Sequence, residues 1–458
     1  MLMTIAKKEI LANLLSFRFA VSLVLCMVLI PVSAYVLKND YKQELSNYFD
    51  RVAAYEERLR TVSSVNQTGP LYDRAPAVLS VLFKRSSANR LIEDTNIGIR
   101  FTTDISDPIP SLLPLFDMGA ILGVILSLLA ILFGYDALVS EREGGTLKLM
   151  LSNGISRSQV LLGKWIGGYI SLILPLAIST IVGLLIVAID PMVNLRGSDW
   201  LALGLIFLGA IIYISIFFAL AYFISAVSRS FAASALTSLC VWLFIVLIVP
   251  NASIYIAGKL RPMPSIKEAE HEMQQANDRL NREEGKRIGE FLSNQHTKEE
   301  EERFFKEEVL AENGIFDVIL RGVIAESKRI GTDFEQKASS QVSLAQQISA
   351  ISPYACFTYL ASALSDTGVE AEQDLSQAGQ RFSPEFIKYL IDKIRQNASS
   401  FAEINKKMDI SDMPRFKYVE QSVSERFSAS LIYFLLLVIF NVVFLMAAYV
   451  AFLRSGVR

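Results

Sequence analysis

The sequence predicts an all-α integral membrane protein with six transmembrane helices and a mostly helical extracytoplasmic domain. Hydrophobic residues make up 52% of its 458 residues, and the mean hydropathy is +0.38. These apolar residues are concentrated in six runs, each near the length of about 20 residues that a helix needs to cross the hydrocarbon core. The charged residues lie almost wholly between the runs, and strand signals are sparse in the polar segments.

The predicted transmembrane helices follow from those runs. They are roughly Phe19–Leu37, Met118–Leu138, Ile166–Ile189, Leu201–Ser225, Ala232–Ile256 and Ser428–Leu453. As segments of the chain, we assign 17–38 to the first helix, 118–138 to the second, 166–256 to helices three to five, and 428–458 to the sixth helix with the C-terminus. Pro31, Pro175 and Pro250 interrupt three runs, which is tolerable because neighbouring helices can satisfy the freed carbonyls.

The first run has an alternative interpretation as a cleavable signal peptide. It has a basic start, and Val32-Ser33-Ala34 fits a small-residue cleavage site. However, residues 1–16 form a long amphipathic segment ahead of the run, which is atypical of the short start of a signal. We therefore interpret residues 1–16 as a cytoplasmic amphipathic helix and the run as a span.

Lys and Arg in the short loops predict the orientation, because cytoplasmic loops carry an excess of them. The loop between spans three and four, residues 190–200, holds only Arg196 and also contains Asp190 and Asp199. The basic residues at the other side are Lys7, Lys8, Arg18, Arg142, Lys148, Arg157, Lys164, Arg229, Arg454 and Arg458. We therefore expect a multi-pass protein of the cytoplasmic (inner) membrane with both termini cytoplasmic, and segments 39–117 and 257–427 outside.

The larger outer segment, 257–427, carries helical patterns. Ile266, Met273 and Leu280 recur every seven residues, with Ala269 and Ala276 between them, so this helix should pack against another. A second apolar stripe comprises Phe305, Val309, Phe316, Leu320, Val323 and Ile324. Two Ser-Pro pairs, at Ser352-Pro353 and Ser383-Pro384, are typical of helix starts, with Ser as the N-cap and Pro in the first turn. We predict a mostly helical domain.

Composition argues against several other classes of protein. A net charge of −2 and a pI near 6.0 give no reason to expect a nucleic-acid partner. Cys26 and Cys240 lie in apolar runs and Cys356 stands alone in the polar part, so we expect no disulfide. Because His271 and His296 are the only histidines, a His-rich metal site is excluded.

Catalytic motifs are incomplete in this sequence. His271-Glu272 begins a zinc-protease-like string, but Gln275 stands where its second His is required. Gly163-Lys164 could end a phosphate loop, but Ser158 replaces its first Gly and Trp165 its Ser or Thr. We therefore expect no catalytic residues, no metal and no cofactor in this chain, which should not hydrolyse ATP by itself.

The most informative segment is the loop between spans two and three, residues 139–165, which we call the elbow. Acidic and basic residues cluster at Glu141–Glu143, and Gly144-Gly145 allow a sharp turn. Thr146 can cap a short amphipathic helix that begins with Leu147, and a second helix from about Ser156 leads into span three. On physics alone, the elbow is equally an interfacial loop that obeys the charge rule or a docking surface.

The elbow resembles one known family, the permease subunits of type-two ABC (ATP-binding-cassette) exporters. Residues 5–11, 412–416 and 452–458 also resemble that family at the corresponding places, although Ser455-Gly456 replace its usual Tyr-Asp. A large domain between the last two spans occurs in a subgroup of the family. The matching elbow residues are Glu141, Arg142, Glu143, Gly145, Thr146, Leu147, Ser156, Arg157, Gly163 and Lys164.

The resemblance implies a division of labour between subunits. The elbow would hold the coupling helix, which seats in a separate ABC ATPase subunit that binds ATP and Mg. A second permease copy, identical or related, would complete the transporter within membrane lipid. Substrate export is the expected function, and the alternative is an ATPase-coupled mechanotransmission or signalling complex that acts on an extracytoplasmic partner. A scaffold without any ATPase is a third possibility, and the sequence does not identify the substrate.

Few polar residues lie within the predicted spans. Asn441 lies near the middle of span six, where an amide is costly unless it is hydrogen-bonded. It is either a residue of the transport pathway or half of a helix–helix hydrogen bond, and the second interpretation is favoured. Asp136, Trp242 and Asn251 are further candidates of the same kind. Gly163 and Gly167 form a small-residue pair that predicts close helix packing.

Overall fold

The structure is a computed structural model that describes residues 2–61, 69–84, 90–91, 101–102, 117–145, 156–312, 314–398, 403 and 408–454. Six of its helical segments are long and apolar enough to cross a membrane, and each overlaps one predicted span. The predicted fold class, an all-α membrane protein with six spans, is confirmed. The segments are Phe17–Arg60, Met118–Glu143, Arg157–Ala188, Gly197–Val227, Phe231–Leu260 and Val423–Arg454.

The N-terminal region consists of two helices separated by a short turn. Helix α1 is Leu2–Leu14 and helix α2 is Phe17–Thr61. Ser16 holds the turn, since its hydroxyl donates to the Asn13 carbonyl at 2.6 Å and accepts from the Phe19 amide at 3.2 Å. With 45 residues, α2 is roughly 67 Å long, about twice the hydrocarbon thickness. The first span and the charged stretch that follows it are therefore one continuous helix.

The polar segment after α2 is described only in part. It contains a 3₁₀ turn, Val78–Val81, and two short strands, β1 (Arg90–Leu91) and β2 (Phe101–Thr102). These strands pair antiparallel, with Arg90 opposite Thr102 and Leu91 opposite Phe101. Within the described ranges this is the whole of the β-structure.

The second span is interrupted by a π turn. It comprises α3 (Met118–Ala120), the π turn Ile121–Ile125 and α4 (Leu126–Gly134), and α5 (Val139–Glu143) follows it. A π turn changes the hydrogen-bond pattern of the helix and leaves a carbonyl for other donors. Here the Gly123 carbonyl accepts from the Ser127 and Tyr213 hydroxyls, which fixes this span against the fourth.

Spans three to five follow with short connections. Helix α6 is Arg157–Ala188 and α7 is Gly197–Val227. The fifth span is α8 (Phe231–Leu243), a π turn (Phe244–Ile248) and α9 (Val249–Leu260). The predicted helix beginning at Ser156 is confirmed, since its hydroxyl accepts from the Gln159 amide as an N-cap.

The remaining helices make up the segment before the last span, and the last span itself. They are α10 (Ile266–Leu292), α11 (Lys298–Phe304) with the π turn Phe305–Val309, α12 (Ile315–Ser349), α13 (Pro353–Leu364), α14 (Val369–Asn397) and α15 (Val423–Arg454). The helix start predicted at Ser352-Pro353 is confirmed, with Pro353 as the first residue of α13.

The helix start predicted at Ser383-Pro384 is wrong. Helix α14 runs through Pro384 without ending. Phe382 and Phe386, one turn apart on either side of Pro384, pack into the same apolar cluster and hold the helix continuous. Pro384 itself is exposed, so its ring lies on the outer face of α14.

The predicted seven-residue stripe on α10 packs against α12. Ala269, Met273 and Ala276 form a buried cluster with Ile330, and Phe334 packs on it. A side chain at Gly322 would meet Leu280, the last residue of the stripe, at 2.9 Å. The predicted packing of this helix against another is therefore confirmed, with α12 as the partner.

Helix α13 packs inside the bundle of spans. Its Phe357 ring stacks on Tyr213, near the middle of α7, with centroids 5.0 Å apart. At the N-terminus of α13, the Ser352 hydroxyl donates to the Ile245 carbonyl in the middle of span five at 2.6 Å. The last turns of α12 lie along α9, where the Gln341 amide donates to the Arg261 carbonyl. Helices α12 and α13 thus form a hairpin that reaches the depth of the span midpoints, a placement that the sequence did not indicate.

Candidate functional site at the elbow

The backbone of the elbow is fixed on the C-terminal end of α7. The amides of Leu138 and Val139 both donate to the buried Ser225 hydroxyl at 3.1 Å. The predicted sharp turn follows α5, and Gly145 there has φ +72°, in the region that favours glycine. Thr146 and Leu147, with the short helix predicted there, lie outside the described residues, and the chain is described again from Ser156.

Lys164 joins three helices at this end of the bundle. Its ammonium lies 2.9 Å from Glu141 of α5 and 3.2 Å from Glu9 of α1, while its side chain is only 7% exposed. A buried ammonium needs such partners, because its desolvation is costly without them. The triad therefore ties α1, α5 and α6 together.

Close packing of α1 on α6 brings Glu9 within reach of Lys164. A side chain at Gly163 would meet Ile5 at 2.9 Å, and one at Gly167 would meet the Ala6 carbonyl oxygen at 2.7 Å. The close packing predicted for this glycine pair is confirmed, with α1 as the partner. The amphipathic helix is thus packed directly on the elbow end of span three.

Arg142 and Glu143 hold the turn between α7 and α8 from both sides. The Arg142 guanidinium donates to the carbonyls of Ala226 and Ser228, at the C-terminal end of α7. The Glu143 carboxylate accepts from the Phe231 amide, the first residue of α8, at 3.2 Å. Each charge is matched to its helix end, since cations are stabilising at C-termini and anions at N-termini.

Two further arginines attach the remaining spans. Arg157, at the start of α6, donates to the Leu453 carbonyl in the last turn of α15 at 2.7 Å. Arg18, at the start of α2, makes two hydrogen bonds of 2.9 and 2.7 Å to the carboxylate of Asp136, in the turn between α4 and α5. Asp136, a candidate pathway residue, therefore belongs to an ion pair at the bundle end.

Together these contacts connect the elbow and the turn before it with all six spans and α1. Of the predicted interface residues, Glu141 and Lys164 pair with each other, whereas Arg142, Glu143 and Arg157 bind helix ends of their own chain. A displacement of the elbow must then displace or break these contacts. The arrangement suits the transmission of movement between the elbow and the spans.

The other predicted polar residues lie apart from one another. The Asn441 amide donates to the Ile212 carbonyl of α7 at 3.3 Å, which agrees with the interpretation as a helix–helix hydrogen bond. The Trp242 indole donates to the buried Ser127 hydroxyl at 2.8 Å. The Asn251 amide is exposed and bonds to a carbonyl of its own helix. These contacts do not bring the three residues into a common polar site.

A second charged site, at the opposite end of the bundle, was missed by sequence reasoning. The Arg74 guanidinium lies 2.7 Å from the Asp366 carboxylate, just after α13, and its side chain is 3% exposed. Burial opposes its charge, but Asp366 and Glu372 outweigh burial and raise the pKa of Arg74. Arg426, at the start of α15, donates to the Leu364 carbonyl in the last turn of α13 at 3.0 Å. Because 292 residues separate Arg74 from Asp366, no local signal could have paired them.

Metal chemistry finds no support in the described ranges, where no group of three or more His, Cys, Asp and Glu residues is placed to hold an ion. The expectation that this chain carries no catalytic residues remains a prediction.

Comparison with known proteins gives consistent matches. The model of the ABC-2 family transporter protein matches residues 3–457. A probable ABC transporter permease protein NosY from Pseudomonas aeruginosa is 36% identical over 141 residues, covering 29% of this chain and 48% of that protein. A protein of the same name from Stutzerimonas stutzeri is 36% identical over 126 residues, 27% of this chain and 45% of that protein. The chain thus spans about half the length of the curated relatives it matches.

Proposed function

Since this chain belongs to the ABC-2 family of transporter proteins and is an ABC transporter permease, we propose that it exports a substrate outward across the cytoplasmic membrane. A separate ATPase subunit would bind ATP and Mg and supply the energy. The observation that carries the proposal is the elbow, whose charged side chains, together with Asp136 in the turn before it, connect all six spans.

The mechanism follows from those contacts. An ATPase that moves the elbow would act at once on α7 and α8 through Arg142 and Glu143. Lys164 would pass the same movement to α1. Helix ends held by charged hydrogen bonds shift as units, because each bond to a charged group is worth about 1.5–3 kcal/mol. Closure of the ATPase would thereby change the arrangement of the spans around the substrate.

The proposed orientation places the elbow and both termini in the cytoplasm, where ATP is available. The basic residues at this end of the bundle support it. We propose a second permease copy, identical or related, as the partner across the pathway. Spans five and six are apolar, and most residues of their most apolar stretches are not buried on this chain. Their surfaces can therefore contact both lipid and another subunit.

Co-purification with a candidate ATPase subunit and measurement of its ATP turnover test the proposal. Wild-type chain should stimulate turnover, whereas Glu143→Ala should bind the ATPase and stimulate it several-fold less, because α8 loses its N-terminal hydrogen bond. Glu299→Ala is the matched control, since Glu299 is exposed on α11, far from the elbow in sequence. If Glu143→Ala and wild type stimulate ATP turnover equally, the assigned coupling role is wrong.

A second candidate function is force transmission to an extracytoplasmic partner without cargo. The observation that favours it is the antiparallel pair α10 and α12, which extends beyond the spans and is joined along a buried stripe. ATP-dependent accumulation of a substrate in proteoliposomes would exclude this alternative. ATP-dependent movement of the α10–α12 pair without any transported substrate would favour it.

A further inference from the structure

A groove lies between α14 and the extended segment that leads into α15. One wall is formed by Asp374, Ala378, Arg381 and Phe382, and the other by residues 416–419. Its volume is about 370 Å³, within the range of ligand sites in proteins. The elbow mechanism described above does not use this groove.

The two walls have the same length. The four lining residues of α14 are spaced four, three and one positions apart, so they lie on one face of the helix. From Asp374 to Phe382 this face is about 12 Å long, at 1.5 Å per residue. Four extended residues cover about 13 Å at 3.3 Å each. The groove therefore has the length of three to four residues of an extended chain.

The groove has an aromatic base. Phe382 and Phe416 line the groove and pack edge to face with each other and with Tyr72 behind them, with centroid distances of 5.2 to 6.1 Å. Gly379 permits the contact, since a side chain there would lie 3.1 Å from the Tyr72 ring. A preformed base reduces the ordering cost of binding.

The extended wall offers an unpaired main chain. Residues 416–421 make no backbone–backbone hydrogen bond with any part of the chain that is described. Their side chains alternate, with Phe416 and Tyr418 turned toward the domain while Lys417 and Val419 are exposed. Because four consecutive residues, 416–419, line the groove, the main chain of this segment borders it. Such an edge can accept a further strand.

The free charge at the groove is positive. Arg381 and Lys417 are exposed, and neither has an ion-pair partner among the residues placed by the structure. Asp374 is the acid on the wall, and its carboxylate already accepts from the Tyr418 hydroxyl at 3.1 Å. Two cations beside a free strand edge complement an acidic peptide.

We propose that this groove binds an extended acidic peptide segment of a partner protein by strand addition along residues 416–419. The main-chain edge supplies the hydrogen bonds, and Arg381 with Lys417 selects for carboxylates. A lipid head group or free phosphate would use the cations alone, whereas the unpaired main chain favours a peptide.

Selection of a phage-displayed dodecapeptide library on the full-length chain in nanodiscs tests the proposal. Acidic sequences should be enriched, and a synthetic copy should bind the double variant Arg381→Glu/Lys417→Glu about tenfold more weakly. N-methylation of alternate peptide residues should weaken binding about fivefold, since each methyl group removes a main-chain donor. Lys388→Glu is the matched control, because Lys388 is an exposed residue of α14 that does not line the groove.

Three results would overturn the proposal. They are a selection without acidic sequences, equal binding to the double variant, or equal binding of the N-methylated peptide. Full competition by inorganic phosphate or phosphatidylglycerol vesicles would instead identify a simple anion site and also overturn it. No ATPase or nucleotide is present, so the outcome is independent of the proposed export function.

Discussion

At both ends of the bundle, charged side chains bind helix ends, but the two arrangements are opposite. At the elbow end, one short segment sends Arg142 and Glu143 to two different helix ends. At the opposite end, Arg74 and Arg426 come from distant segments and converge on the C-terminus of α13. The first arrangement distributes a movement over several spans. The second clamps one helix that lies among the spans.

The largest effect on stability is expected at Arg74, which binds the C-terminal end of α13. Arg74→Met leaves the Asp366 carboxylate, about 10% exposed, without its cation. Removing one partner of a buried pair costs about 3 kcal/mol, so the free energy of unfolding should fall by that amount in a detergent titration. Arg282→Met is the control, since Arg282 is exposed and, among the residues that the structure describes, bonds within its own helix. A loss no greater than that of the control would mean that α13 is held by packing alone.

A somewhat smaller effect is expected at Lys164. Its two carboxylate partners are 21 and 22% exposed, so water partly compensates them when the ammonium is removed. Lys164→Met should lower the free energy of unfolding by about 2 kcal/mol and loosen α1. Thermal denaturation of the purified chain measures this, with exposed Lys7→Met as the control. Equal stability of the two variants would show that the triad does not hold α1.

Overpacking the contact between α1 and α6 should cost about 1–3 kcal/mol. A side chain at Gly167 would lie 2.7 Å from Ala6 and Glu9 atoms, whereas one at Gly204 would meet nothing within 4 Å. Gly167→Leu should therefore lower the melting temperature and expose α1 to limited proteolysis, and Gly204→Leu should do neither. The same response from both variants would contradict the packing of α1 on α6.

The smallest effect is expected at Asn441. Interhelical hydrogen bonds in membranes average about 0.6 kcal/mol, so Asn441→Leu should reduce stability by that amount and leave transport intact. Asn251→Leu is the control, because that amide is exposed and bonds within its own helix. Loss of transport without loss of stability would instead make Asn441 a pathway residue.

Features encoded locally were predictable from the sequence. Apolar runs of span length, the glycine turn at Gly145 and the stripe of Ala269 and Met273 all depend on neighbours within one or two helical turns. The charged elbow residues were also found, although their contacts with helix ends of the same chain were not. Those contacts join residues more than 80 positions apart, as Arg142 and Ala226 do.

Features that depend on tertiary packing were not predictable. Pro384 fits a helix start by local rules, yet packing of the phenylalanines on either side keeps α14 continuous. Helix α13 is too short to be recognised as a span by length. Its position became visible through contacts with Tyr213 and Arg74, neither of which is adjacent to it in sequence.

Distance measurement between spin labels at Leu15 and Val227 tests the transmission by the elbow most directly. Both positions are exposed, one between α1 and α2 and the other at the end of α7, and the cysteines Cys26, Cys240 and Cys356 would first be replaced by alanine. In the complex with the ATPase subunit, a non-hydrolysable ATP analogue should shift the distance by about 2 Å or more. With Glu143→Ala the shift should vanish while the ATPase remains bound. An equal shift in both proteins would contradict the account.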